Sequence, residues 1–74
     1  MWTAEITNDP THQHRLYIEL LEDDLYRGRV ELDKSGQSVL TIYPGATSVS
    51  VPGTWLINLL RGAEQDLSVA DYQM

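Results

Sequence analysis

The chain contains no cysteine, so neither a disulfide nor a thiolate zinc site staples it. Basic residues are scarce: five Lys and Arg stand against eleven Asp and Glu, a formal net charge of −6 at pH 7. Such a balance repels nucleic-acid backbones and anionic membranes, and it suits a basic protein partner. No apolar run approaches the ~18 residues that span a bilayer. The opening Met1-Trp2-Thr3-Ala4-Glu5 lacks a basic stretch followed by an apolar one, so no signal peptide is expected and a cytoplasmic setting is the default. There is no glycine-rich phosphate loop, no Gly-x-Ser-x-Gly and no Ser-x-x-Lys, which removes the commonest nucleotide-binding and nucleophilic signatures.

What is present is the composition of one small globular domain spanning residues 1–74. Hydrophobic residues make up 42% and charged residues 22%, which argues against disorder. A domain of this length buries only about 60% of its unfolded surface, so every core contact counts. Homo-oligomerisation is a plausible source of further burial.

Turn signals recur at short intervals: Asn8-Asp9-Pro10, Glu22-Asp23-Asp24, Lys34-Ser35-Gly36 and Pro44-Gly45. Alternating segments lie between them, the pattern of an antiparallel meander. The alternation predicts strands over Trp2–Thr7, His14–Leu21, Leu25–Asp33, Ser38–Tyr43 and Thr47–Val51. Their inward residues are Trp2, Ala4 and Ile6; Leu16, Ile18 and Leu20; Tyr26, Gly28, Val30 and Leu32; Leu40 and Ile42; Val49 and Val51. Opposed residues must share a face, which tests the loops. A three-residue Glu22–Asp24 loop sets Leu20 against Tyr26, Ile18 against Gly28 and Leu16 against Val30, whereas a two-residue Asp23-Asp24 loop mixes faces. The Lys34–Gly36 loop sets Val30 against Leu40 and Gly28 against Ile42, with Gly36 at the positive-φ position. A Pro44-Gly45 turn sets Leu40 against Val49.

A helical reading of residues 10–22 competes. Asp9 would cap it, Pro10 would open it, and Tyr17, Leu20, Leu21 and Leu25 would form its stripe. Register agreement with the third strand favours the strand. The last third is helical, starting near Pro52, with Trp55, Leu56, Leu59, Leu60, Ala63 and Leu67 in one apolar arc and Asn58, Arg61 and Gln65 opposite. Trp55 is expected to fill the gap left by Gly28. The fold class is therefore α+β: an antiparallel meander of four to five strands with one C-terminal helix packed on one face.

A single helix covers one face, so the other face is the candidate interaction surface. It carries Tyr17, Leu21, Leu25, Arg27, Arg29 and Tyr43. Tyr17, Arg29 and Thr41 are expected in one row, Glu19, Arg27 and Tyr43 in the next, and Leu21 beside Leu25. Aromatics and arginines are enriched at protein interfaces. The same residues also suit an ordinary solvated face held by cross-strand pairs. The expected function is a small acidic protein-binding module, inhibitor- or immunity-like, that docks a basic protein without catalysis or cofactor. One alternative is a structural homodimer with no separate ligand. The other is a small metal- or ligand-binding enzyme subunit resting on His12 and His14. That pair has no evident complete ligand set, and Glu22-Asp23-Asp24 lacks calcium-loop spacing. Neither is expected to hold a metal. The thermal midpoint is accordingly expected to be the same with chelator, with Zn²⁺ and with neither; a chelator-induced loss of several degrees would assign the His pair a structural metal.

Overall fold

The computed structural model describes residues 1–12, 15–43, 45 and 48–72, with the side chains of residues 12 and 69–72 left aside. Four strands form an antiparallel sheet in chain order: β1 (Trp2–Asp9), β2 (Arg15–Glu22), β3 (Leu25–Leu32) and β4 (Ser38–Ile42). One helix, α1 (Gly53–Tyr72), packs on β2, β3 and β4. This is the α+β architecture expected from the alternation. No described helix is long and apolar enough to cross a membrane.

Each strand alternates because side chains along it point to opposite faces. On the inner face Ile18, Leu20, Val30 and Leu32 are buried, and α1 closes them with Ala63 and Leu67. Trp2, Leu16, Leu40, Ile42, Trp55, Leu59 and Leu60 ring this core. The helix presents the arc read from its sequence, while Asn58, Arg61 and Gln65 are exposed. It opens with Leu56 donating to the Pro52 carbonyl at 3.0 Å. Proline suits that position because its missing N–H would have no helical partner there.

Residues 10–22 do not form a helix. Asp9 caps instead a three-residue 3₁₀ turn, Pro10–His12. Its Oδ1 accepts the Thr11 N–H at 3.0 Å and the Thr11 hydroxyl at 2.6 Å. The cap signal was real but local; β2 follows because pairing on both sides satisfies its backbone.

The β2–β3 hairpin departs from the expected register. Its loop is the two-residue Asp23-Asp24, with φ of 50° and 69°, as a type I′ turn requires. A bulge then corrects the faces. Ile18 pairs with Val30 and Leu20 with Gly28, but Leu21 pairs with Tyr26, so Arg27 has no partner on β2. One extra residue restores the match between buried faces that a two-residue loop alone would break. It also turns Tyr26 outward, where alternation alone had placed it inward. The β3–β4 hairpin follows expectation: Val30 faces Leu40, Gly28 faces Ile42, and Gly36 has φ of 86°.

The expected fifth strand is not formed over residues 48–51; Pro44 and Thr47 lie outside the described residues. The segment runs to the other edge of the sheet, where the Trp2 indole N–H donates to the Ser50 carbonyl at 3.1 Å. Trp55 likewise meets Trp2, with ring centroids 6.0 Å apart. Gly28 leaves no gap for it. A Cβ there would fall 2.3 Å from the Thr41 carbonyl oxygen and 3.1 Å from Ile42 Cδ1.

Two glycine substitutions therefore carry opposite signs. Gly28→Ala forces backbone apart and is expected to cost about 1–3 kcal/mol. At Gly62 an added Cβ meets only Asp66 Oδ2 at 3.6 Å, so Gly62→Ala is expected to stabilise by about 0.5–1 kcal/mol through helix propensity. Denaturant midpoints of the two variants check both signs; equal effects would contradict the packing.

Candidate interaction surface

The face of the sheet away from α1 is built from the outward residues of all four strands. Its centre is Arg29. The guanidinium carbon lies 3.9 Å from the Tyr17 ring centroid, a cation–π contact. Arg29 Nη2 is 3.8 Å from Asp9 Oδ2, and Nε is 3.7 Å from Glu31 Oε1. Burial opposes the arginine's charge, but its hydrogen bond to Tyr43 and the field of Glu31 outweigh this and hold its pKa above the ordinary value. The Tyr17 hydroxyl donates to Glu19 Oε1 at 3.1 Å. Burial first, then this bond, raises the tyrosine's pKa.

A second aromatic contact extends the cluster. Tyr26 and Tyr43 stack with centroids 5.5 Å apart and planes at 28°. Both are about two-fifths exposed, at 42% and 40%, and Leu25 is 58% exposed. Partial burial first, then the hydrogen bond to Tyr43, pushes the Tyr26 hydroxyl up to about 12. Tyr26 was not among the expected surface residues. The signal that would have found it is the Asp-Asp pair, because a two-residue turn demands a bulge to keep Leu20 and Val30 on one face.

The six expected surface residues are not all brought together. Tyr17, Arg29 and Tyr43 join one connected cluster through Arg29. Arg29 stands between Glu19 and Thr41, however, and not in a row with Tyr17. Leu21 faces Tyr26, while Leu25 faces Glu22, so the expected leucine pair is not made. Arg27, freed by the bulge, turns to Glu22, with Nε 3.2 Å from Oε1. The expected Glu19–Arg27 pairing is thus replaced by two others.

Asp9, Arg15, Leu16, Tyr17, Arg29 and Glu31 line a shallow groove of about 230 Å³ on this face. Small-molecule sites usually exceed about 300 Å³ and are lined mostly by apolar groups. This one is smaller and rich in charge, which suits a protein surface better than a ligand pocket. No group of three metal-binding side chains occurs among the described residues. The His14 residue and the His12 side chain lie outside them. No family model, curated protein or solved structure matches the chain.

The raised tyrosine pKa values carry a pH dependence. A folded-state pKa above the unfolded one means the neutral phenol is favoured by folding. The Tyr26 contribution is full below its unfolded pKa, about 10, and is lost as pH rises toward the folded value of about 12. Denaturant midpoints between those limits should fall with pH, and Tyr26→Phe should flatten the slope. An unaltered slope in the variant would disconnect Tyr26 from this effect.

Proposed function

We propose that the chain is a small acidic protein-binding module, inhibitor- or immunity-like, that docks a basic protein on its open sheet face. The observation that carries this reading is the exposed Tyr26–Tyr43 stack joined to the Arg29–Tyr17 cluster on a face that α1 does not reach. Tyrosine and arginine supply rigid contact area and forked hydrogen bonding, which is why they dominate interface energetics. Here their rotamers are already held by stacking and ion pairs, so less side-chain freedom is lost on docking. The net charge of −6 supports a basic partner through steering. A non-catalytic role fits the shallow groove. A cytoplasmic setting is proposed with it, since a cysteine-free chain is compatible with a reducing compartment.

The test is a double variant, Tyr17→Ser with Leu21→Ser. It should keep cooperative unfolding but weaken association with a basic partner recovered by pull-down. Association with that partner should also slow steeply as ionic strength rises. A self-association indifferent to salt and lost in the same variant would replace this reading with the homodimer. Full association of both kinds in the variant would remove the face from the function.

A further inference from the structure

Both edges of the sheet turn backbone groups outward, and among the described residues a helix side chain takes up one of them on β4. On β4, Asp33 donates to the Gln37 carbonyl and Tyr43 to the Arg27 carbonyl, so the odd residues bond inward and Ser38, Leu40 and Ile42 direct their backbone groups outward. The outward Ser38 N–H is taken by Glu64 Oε2 of α1 at 2.9 Å. On β1 the Met1 carbonyl accepts the Asp23 N–H, so the odd residues bond β2 and Ala4 and Ile6 turn their N–H and C=O groups to the open edge. Among the described residues nothing takes them up. The pairing with β2 runs unbroken from Trp2 to Asp9, and β1 holds no lysine, proline or bulge. Those devices blunt an edge against any strand, whereas the charges β1 does hold, Glu5 and Asp9, repel acidic strands and leave it open to a basic one.

The side chains beside those free groups define what fits. Ala4 and Ile6 lie on the helix face, yet both are exposed, Ile6 at 56%; among the described side chains α1 meets β1 at Trp2, through Trp55. Between them, on the opposite face, Glu5 stands directly across from Glu19. Like charges so opposed repel. Arg29 follows Glu19 in the row on β3 but turns its guanidinium to Asp9, Glu31 and the Tyr17 ring; among the described residues no cation lies within ion-pair distance of Glu5 or Glu19, and Glu19 accepts from the Tyr17 hydroxyl. A strand laid along β1 continues the row from Glu19 through Glu5 to its own residue.

We infer that β1 is a strand-addition edge that takes an extended segment of a basic protein, with Lys or Arg opposite Glu5 and apolar residues opposite Ala4 and Ile6. The backbone groups supply the bonds, and the two carboxylates select the cation. A second copy of the chain fits worse. An antiparallel copy centred on Glu5 sets Glu5 against itself. One centred on Ile6 sets Glu5 against Thr7, with the copy's own Glu5 and Asp9 on the diagonals. Both add carboxylates where the row already has two. The inference rests on the basic-partner reading but moves the contact from the tyrosine face to the edge.

The probe is a fluorescent peptide of alternating valine and lysine, compared with one of alternating valine and glutamate, read by anisotropy. The lysine peptide should bind and the glutamate peptide should not. Glu5→Gln should weaken binding about threefold, as expected for an exposed charge pair. Ala4→Pro removes an outward N–H without touching the β2 ladder and should weaken it by more than about tenfold. Tyr26→Ser, which removes the stacked ring of the open face without touching Glu5 or Glu19, should bind the peptide as the wild type does, even if it fails with a whole partner. No binding by the wild type, equal binding of both peptides, or unchanged binding by Glu5→Gln would overturn the edge inference. Peptide loss confined to Tyr26→Ser would overturn it too, while upholding the tyrosine face. A dimer abolished by Ala4→Pro, without peptide binding, would make the occupant a second copy and overturn it as well. Circular dichroism and a cooperative melt qualify Ala4→Pro as folded; Glu5→Gln carries the test if it is not.

Discussion

One helix must close a sheet wider than itself, and most of the molecule follows from that mismatch. Four strands at ~4.8 Å spacing form a layer about 15–20 Å wide, while a helix with its side chains is ~10–12 Å across. With 20 residues, α1 is long enough to run the length of the strands but not broad enough to cover them all. It settles over β2 and β3 and touches β4. The buried residues are accordingly Ile18, Leu20, Val30 and Leu32 from the two central strands, with Ala63 and Leu67 from the helix. What the helix leaves uncovered is the whole opposite face and the Ala4–Ile6 part of β1.

The uncovered face is stabilised by polar and aromatic contacts instead of burial under a second layer. Arg29 gathers Tyr17, Asp9, Glu31 and Tyr43 around one guanidinium. The planar cation suits this arrangement because it stacks on a ring and still offers donors at its edge. Contacts of this kind are worth little each in water. Their consequence here is order: the face is held in one arrangement before any partner arrives. Arg27 and Glu22 do the same for the bulge at the sheet's end.

The turns set which residues reach each face. The Lys34–Gly36 loop is fixed at both ends, by Gly36 at positive φ and by Asp33, whose Oδ1 accepts from Ser35 and Gln37 N–H groups at 2.9 and 3.0 Å. The Ser35 hydroxyl bond first, then these backbone bonds, lowers the Asp33 pKa. The Asp23-Asp24 turn is tighter, and its cost is carried into β3 as a bulge. That single displaced residue moves Tyr26 to the open face and leaves Arg27 off the ladder.

The sequence by itself determined the types of the four strands and the helix, the helix arc, the β3–β4 register and the identity of most inward residues. Those follow from period, turn chemistry and the need of opposed residues to share a face, all of which are local. It also determined that Tyr17, Arg29 and Tyr43 would lie outward, since β2, β3 and β4 each keep their parity over those positions. Only the tertiary structure decided the β2–β3 register, because two solutions satisfy the same alternation: a three-residue loop, or a two-residue loop with a bulge. It decided, too, that Val49 and its neighbours would not pair with β4. The bond from Trp2 to Ser50 and the Trp2–Trp55 contact join residues about fifty positions apart, and no local pattern encodes them. The exposure of Ala4 and Ile6 was likewise hidden. Alternation tells which face a residue is on, but the placement of the helix tells whether that face is covered.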